Sequence, residues 1–220
     1  MATVHGRAVL VAGASGLVGQ EIVAELLADK TVGVVHCLGR RSLGLKHPKL
    51  SSHMVDFAAM PALPKVDECF IALGTTIKVA GSKAAFRAID LDAVLAVAKA
   101  AHSAGATKVG VVSAMGANPQ SPVFYNRIKG EMERALTNVG LKSLVIARPS
   151  LLDGNRLVLG QPERPGEKIG LWLTRRLQPL IPVNYRAILA KDVAHAMIRA
   201  MKEAKPGVVT LLSGEMQCKR

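Results

Sequence analysis

A serine, a tyrosine and a lysine are the residues of this 220-residue chain best suited to move a proton. Ser113 ends an apolar run, and Tyr125 and Lys129 follow it four residues apart. On a helix this spacing places the ammonium beside the phenol, because residues four apart share one face. A nearby cation favours the phenolate, so the tyrosine becomes a usable acid–base catalyst. The pattern predicts a catalytic set in which Ser113 binds a carbonyl oxygen. The alternative is that Tyr125 only caps a helix and Lys129 is a solvated charge.

Three glycines follow the first apolar run of the chain. Gly13, Gly16 and Gly19 come directly after Val9–Ala12 and open an apolar helical pattern. The N-terminus of a helix carries free N–H donors and partial positive charge, so it binds phosphate. In a dinucleotide fingerprint the glycines permit the tight turn, the approach of the pyrophosphate and close helix packing. The alternative is a tight turn that binds nothing. The predicted cofactor contacts at this turn are Gly13, Ser15, Gly16, Leu17 and Val18.

The elements that must position these residues alternate along the chain. The predicted strands are Ala8–Ala12, Gly33–Leu38, Ser52–Phe57, Glu68–Leu73, Lys108–Ser113, Ser143–Arg148 and Val208–Leu212. The predicted helices are Leu17–Ala28, Lys83–Ser103, Tyr125–Asn138, Glu167–Leu177 and Lys191–Ala204. The strands are almost continuously apolar, which is typical of parallel strands buried on both faces. The order predicts an α/β fold, a Rossmann-type doubly wound parallel sheet.

The clearest break in the pattern is the Pro- and Gly-bearing stretch Asp153–Gly166. Too few residues follow it to form an independent domain. We therefore predict a single NAD(P)-binding domain over residues 1–220. Residues 151–190 would form a small C-terminal cap that contacts the substrate, whose identity the cap residues do not reveal.

Two arginines follow the second predicted strand, where NAD sites carry an acidic residue for the ribose hydroxyl. Arg40 and Arg41 offer guanidinium groups suited to a 2′-phosphate, so NADP is the predicted cofactor. The alternative is that they are ordinary solvated charges of a basic protein. Lys129 is also expected to hold the nicotinamide ribose. Further predicted contacts follow other strands and loops: Asp56, Phe57, Leu73, Gly74, Thr75, Thr76, Arg148 and Pro149.

The composition favours anionic partners and argues against several other classes. The net charge is +13, whereas aromatic residues make up only 3% of the chain. Without a basic tail or stacking aromatics, nucleic acid is an unlikely partner. No apolar run is long enough for a membrane span, and no signal peptide is visible. The cysteines lack metal-ligand spacing, so we expect no metal site and a cytoplasmic location. A small-molecule substrate is the expected partner, and a homodimer is possible.

These motifs together resemble the short-chain dehydrogenase/reductase superfamily, in its atypical branch. Within that branch the chain is similar to the Tat-interacting-protein-type oxidoreductases and their bacterial relatives. The matching segments are the glycine turn, Leu38–Arg41, Val55–Phe57, Leu73–Thr76, Ser113–Ala117, Tyr125–Glu131, Arg148–Pro149 and Arg164–Glu167. The resemblance implies a Rossmann-type fold, NADPH binding and reductase chemistry. It also implies that Tyr125 is the acid–base, Lys129 its partner and ribose ligand, and Ser113 the carbonyl binder.

Two residues depart from the pattern of that superfamily. Asp90 stands near the place of an asparagine that supports a proton relay, and Met115 stands where many extended members have a hydroxyl residue. The leading prediction is NADPH-dependent reduction of a small carbonyl compound. The alternative is a non-enzymatic NADP(H)-binding redox sensor or regulator, which both departures favour. A sugar-nucleotide epimerase would need a larger C-terminal substrate domain.

Overall fold

A seven-stranded parallel sheet forms the centre of the fold in this computed structural model, which describes residues 6–153 and 181–217. The strands are β1 (Arg7–Ala12), β2 (Val32–Gly39), β3 (Leu50–Met54), β4 (Glu68–Ile71), β5 (Lys108–Val112), β6 (Ser143–Arg148), β7 (Leu152–Asp153), β8 (Ile188–Leu189) and β9 (Gly207–Leu212). The order across the large sheet is β3-β2-β1-β4-β5-β6-β9. Because the order reverses between β1 and β4, a topological switch point lies there.

Helices cover both faces of the sheet. They are α1 (Leu17–Ala28), α2 (Ile77–Ala80), α3 (Lys83–Arg87), α4 (Val94–Ser103), α5 (Phe124–Thr137), α6 (Ala190–Glu203) and α7 (Ser213–Met216). The core on one face contains α1 and α6, and the core on the other contains α4 and α5. The predicted Rossmann-type doubly wound sheet is therefore confirmed.

The strand β1 illustrates why a continuous apolar run forms this sheet. Val9 and Val11 pack in the core beneath α1 and α6, whereas Leu10 and Ala12 pack in the core beneath α4 and α5. Successive side chains of a strand point to opposite faces, so a strand covered on both sides needs apolar residues at every position. The same pattern places the end of β1, and the glycine turn after it, at the carboxyl edge of the sheet.

Two predicted elements differ from the structure in form or position, and the sequence pattern does not predict the short elements α2, α7, β7 and β8. The predicted helix Lys83–Ser103 is interrupted by the wider π-helical turns of Ala88–Ala93, which a residue pattern does not distinguish from an α-helix. The third strand covers Leu50–Met54 rather than Ser52–Phe57, because its pairing with β2 ends at Met54.

The predicted cap is described only at its two ends. There β7 pairs in parallel with β8, so Leu152–Asp153 lies against Ile188–Leu189. The predicted helix Glu167–Leu177 and the other cap residues between 154 and 180 lie outside the described residues.

Two sequence expectations concern membranes and cysteines. Within residues 6–153 and 181–217, no helix combines the length and the apolar character that a membrane crossing requires. Over the same residues, no group of three or more potential metal ligands occurs. Cys37 and Cys69 are buried core residues, as predicted, and burial raises the pKa of the Cys37 thiol to about 12. Cys218 lies outside the described residues.

Candidate active site

A cleft of about 780 Å³ opens at the carboxyl ends of β1, β2 and β4. Most of the residues predicted to contact a dinucleotide line it: Gly13, Ser15, Gly16, Arg40, Arg41, Asp56, Phe57, Leu73, Gly74 and Thr75. Sequence reasoning missed other lining residues: Gln20, Ser42, Ser52, Val79 and Ile89. These polar and aliphatic residues carry no motif of their own, and only the folded chain brings them to the cleft.

The glycine turn forms one wall of the cleft, and its three glycines meet different constraints. Gly13 has a φ of +86°, and a Cβ there would lie 2.5 Å from the carbonyl oxygen of Ala72. A Cβ on Gly19 would lie 2.1 Å from the carbonyl oxygen of Gly13. At Gly16 a Cβ would meet its nearest protein atom at 3.4 Å, an ordinary contact. The fold itself therefore requires glycine at 13 and 19 but tolerates a side chain at 16.

The N-terminus of α1 has the features of an anion-binding site. Gly16 is its N-cap residue, no side chain caps it, and its first turn contains no acidic residue. The first N–H groups of a helix have no partner within the helix, so they are available to an acceptor in the cleft.

The loop after β2 forms the opposite wall of the cleft. Arg40 and Arg41 are exposed and line it, so their guanidinium groups are accessible to an anionic ligand. Asp56, which also lines the cleft, accepts a hydrogen bond of 2.9 Å from the N–H of Ala58. Asp56 therefore stabilises its own turn with one carboxylate oxygen.

Lys129 is buried, and its partner is Asp90. Its Nζ lies 2.7 Å from Oδ1 of Asp90, and the side chains are 4% and 0% exposed. The other oxygen, Oδ2, accepts a hydrogen bond of 2.9 Å from the N–H of Thr75, which lines the cleft. Asp90 therefore connects the lysine to the wall of the cleft, and the alternative of a solvated Lys129 is wrong.

The charge state of Lys129 depends on this partner. Burial alone would lower the pKa of Lys129. The negative charge of Asp90 has the largest opposing effect, and the charge of Tyr125, the hydrogen bond to Asp90 and the charge of Glu133 add to it. Together they raise the pKa of Lys129 above the usual range. The lysine is therefore a cation at neutral pH. The ring of Tyr125 packs against Phe86, with 5.4 Å between the ring centroids.

A second buried carboxylate, which sequence reasoning missed, holds Ser113. The Ser113 hydroxyl donates a hydrogen bond of 2.5 Å to Oε1 of Glu133. Arg148 donates to the same carboxylate from Nε at 3.0 Å and from Nη2 at 2.5 Å. The hydrogen bond with Glu133, and also its charge, raises the pKa of Arg148 against the effect of burial. Arg148 is therefore engaged by Glu133 rather than directed into the cleft.

Seven predicted contacts do not line the cleft: Tyr125, Lys129 and Arg148, described above, and Leu17, Val18, Thr76 and Pro149. Leu17 and Val18 belong to the first turn of α1, where Val18 is buried in the core. Thr76 caps α2 by accepting a hydrogen bond from the N–H of Val79. The carbonyl oxygen of Pro149 accepts a hydrogen bond from the N–H of Met115. Backbone contacts at these positions remain predictions.

Comparison with known proteins identifies relatives along nearly the whole chain. The chain is 30% identical to Protein HTATIP2 of Rattus norvegicus over 220 residues, which cover 97% of this chain and 86% of that protein. It is 33% identical to the mitochondrial protein FMP52 of Coccidioides immitis, with 89% and 87% covered. No model of a known protein family matches the chain. Because this fungal relative is described as mitochondrial, the cytoplasmic location of the present protein remains a prediction.

Solved structures with the same fold are more distant in sequence. A short chain dehydrogenase family protein from Francisella tularensis matches with a TM-score of 0.69 and 14% identity, covering 96% of this chain and 98% of that one. A UDP-N-acetylglucosamine 4-epimerase from Methanobrevibacter ruminantium matches with a TM-score of 0.69 and 21% identity, covering 94% and 76%. The chain thus belongs to the family of HTATIP2 and FMP52, and its fold is that of short-chain dehydrogenases.

Proposed function

We propose that this protein is an NADPH-dependent oxidoreductase that reduces a small carbonyl compound. The observation that carries the proposal is the position of Lys129. Its buried cation is tied through Asp90 to Thr75, a residue of the cleft wall. A residue suited to tune a proton donor is thus joined to a cleft suited to a dinucleotide.

The residues of the cleft fit a dinucleotide with a 2′-phosphate. The uncapped end of α1 offers donors to a pyrophosphate, and Gly16 leaves space for it, because even a Cβ there would keep 3.4 Å from the nearest protein atom. Arg40 and Arg41 would hold the 2′-phosphate with charge-assisted hydrogen bonds. Solved proteins of this fold, such as MoeE5 and WbmG, are described in complex with NAD, which supports a nicotinamide cofactor.

The chemistry divides between the cofactor and three side chains. When bound, NADPH supplies the hydride that adds to the carbonyl carbon. Tyr125 donates its phenolic proton to the carbonyl oxygen, so that an alcohol forms and a phenolate remains. Lys129 stabilises that phenolate as a neighbouring cation, and Asp90 keeps Lys129 charged in its buried position. Solvent then restores the proton to Tyr125.

A redox sensor that binds NADP(H) without turnover is the second candidate. The hydrogen bond from Ser113 to Glu133 favours it, because the hydroxyl hydrogen expected to bind a substrate carbonyl is already donated elsewhere. Met115, at a position where many extended members have a hydroxyl residue, does not replace that donor.

Turnover separates the two candidates. We would measure NADPH consumption with a panel of aldehydes, ketones and quinones, using the unmodified protein and Tyr125→Phe side by side. The proposed function expects turnover that the variant loses. Tight NADPH binding with no consumption across the panel would overturn it in favour of the sensor.

A further inference from the structure

The hydrogen bonds around Glu133 determine which way the Ser113 hydroxyl points its hydrogen. A carboxylate only accepts, and a serine hydroxyl has a single hydrogen to donate. Glu133 receives two hydrogen bonds from the partly buried Arg148 and one from the buried Ser113. With its hydrogen committed to Glu133, Ser113 presents only oxygen lone pairs to any other partner.

We propose that Glu133 is a positioning residue that makes Ser113 a hydrogen-bond acceptor, so that the site selects α-hydroxy carbonyl compounds. The inference rests on the proposed function for its substrate, but the state of Ser113 is independent of it. A hydroxyl group beside the carbonyl would donate to the Ser113 oxygen while the carbonyl oxygen receives its proton from Tyr125. A carbonyl compound without such a donor would leave an acceptor facing an acceptor, which costs binding energy.

The burial of Ser113 and Glu133 supports this role. Ser113 and Glu133 are 4% and 6% exposed, so water does not readily replace either partner. Glu133 lies one helical turn after Lys129 and two turns after Tyr125. Residues at this spacing share one face of a helix, so α5 directs all three toward the same side.

The variant Glu133→Gln would reverse the polarity of Ser113. The glutamine amide places one oxygen and one NH₂ group where Glu133 has Oε1 and Oε2. Arg148 donates a hydrogen bond to each of these two positions, so the NH₂ group faces an Arg148 donor in either orientation. The NH₂ group is better tolerated at Oε1, where the Arg148 donor is at 3.0 Å rather than 2.5 Å. From that position it donates to the Ser113 oxygen, which frees the serine hydrogen to act as a donor.

A matched control exists on the same helix. Glu131 of α5 also pairs with an arginine, Arg87, at 2.5 Å. Glu131→Gln therefore removes the same charge and disturbs the same kind of ion pair without touching Ser113. It is expected to keep the substrate preference of the unmodified protein.

The experiment compares hydroxyacetone with methoxyacetone, which has an ether oxygen in place of the hydroxyl donor. We expect the unmodified protein to favour hydroxyacetone in kcat/KM by about tenfold, the worth of one hydrogen bond. Glu133→Gln should abolish or reverse that ratio, and Ser113→Ala, which leaves the Glu133 pair with Arg148 intact, should abolish it. A ratio unchanged in Glu133→Gln, or altered equally in Glu131→Gln, would overturn the inference.

A readout without turnover separates this inference from the proposed function. A buried hydroxyl in a short hydrogen bond to a carboxylate should give a slowly exchanging proton resonance that Ser113→Ala and Glu133→Gln both remove. If no compound of the carbonyl panel is reduced, the proposed function fails, and this resonance alone decides whether Glu133 holds the serine hydrogen. Its absence from the unmodified protein would overturn the assignment. Circular dichroism of every variant checks that the fold is retained.

Discussion

The ammonium nitrogen of Lys129 lies 2.7 Å from Oδ1 of Asp90, deep enough that neither side chain is more than 4% exposed. The Oδ2 atom of the same carboxylate holds the N–H of Thr75 at 2.9 Å. Removing either charge would leave the other buried without its partner, a far greater cost than losing a surface ion pair. The pair is therefore a stability element as well as a part of the candidate site.

The variant Asp90→Ala should destabilise the protein by about 3–5 kcal/mol, because it leaves the Lys129 cation buried and unpaired. Urea unfolding at neutral pH measures the change. Asp92→Ala is the control, since Asp92 is exposed two residues away and its loss should change stability by less than about 0.5 kcal/mol. Equal stability of the two variants would show that the pair contributes nothing.

The pH dependence of the unfolding free energy should also show how much Lys129 contributes to stability. Its pKa is raised in the folded protein above the ordinary value of 10.5, so the unfolded state loses the proton first as pH rises. The contribution of Lys129 is complete below pH 10.5 and decreases as pH rises through the raised value. The difference in unfolding free energy between the unmodified protein and Lys129→Met should therefore show no decrease up to pH 10.5 and should decrease above it. A difference that already decreases near neutral pH would contradict this.

The cofactor preference should depend on the two arginines after β2. Hydrogen bonds to charged groups contribute roughly 1.5–3 kcal/mol each, so NADP(H) should bind at least about tenfold more tightly than NAD(H). Fluorescence titration at fixed salt compares the two. The double variant Arg40→Ala, Arg41→Ala should lose the difference, whereas Lys191→Ala, Arg199→Ala removes two exposed charges of α6 and should keep it. Equal affinities in the unmodified protein would rule out the assignment.

Two glycines of the same turn should respond differently to a side chain. Gly16→Val should fold but lose dinucleotide binding, because a Cβ at this position meets its nearest protein atom at an ordinary 3.4 Å and the side chain would occupy the pyrophosphate position. Gly19→Ala should instead destabilise the protein by about 1–3 kcal/mol, because its Cβ would lie 2.1 Å from the Gly13 carbonyl oxygen. Thermal unfolding and cofactor titration of both variants separate the effects. Normal binding by Gly16→Val would place the cofactor elsewhere.

The proton donor is tested by Tyr125→Phe. The variant keeps the ring that packs on Phe86 and removes the hydroxyl that carries the transferable hydrogen, so turnover should fall by about 10²–10⁴. NADPH affinity should change little, whereas Lys129→Ala should reduce both turnover and affinity. Tyr185→Phe is the control, since Tyr185 is the other tyrosine of the chain and is exposed. Full turnover by Tyr125→Phe would exclude the phenol as the acid.

The sheet and the glycine turn were predictable because they depend on local pattern. A continuous apolar strand followed by glycines and an apolar helix requires a buried parallel strand and a tight turn, and β1 and α1 follow that pattern. The same reasoning predicted that Arg40 and Arg41 face a cleft, since the carboxyl ends of neighbouring parallel strands meet at one edge.

The carboxylate partners were not predictable from spacing. Asp90 and Lys129 are 39 residues apart, and only the packing of α5 against the π-helical turns after α3 joins them. The burial of Glu133 could have been predicted from its spacing. It lies on the same helical face as Tyr125 and Lys129, and a charged residue on a buried face needs a partner. Its contacts with Ser113 and Arg148 cross from α5 to the ends of β5 and β6, which no local pattern specifies.

The pairing of β7 with β8 has a consequence for how this chain tolerates change. Leu152–Asp153 and Ile188–Leu189 lie side by side, so two segments 36 residues apart in the sequence are neighbours in space. The entropic cost of closing a loop rises only slowly with its length. The pairing of β7 with β8 should therefore tolerate insertions or deletions between the two strands with little loss of stability.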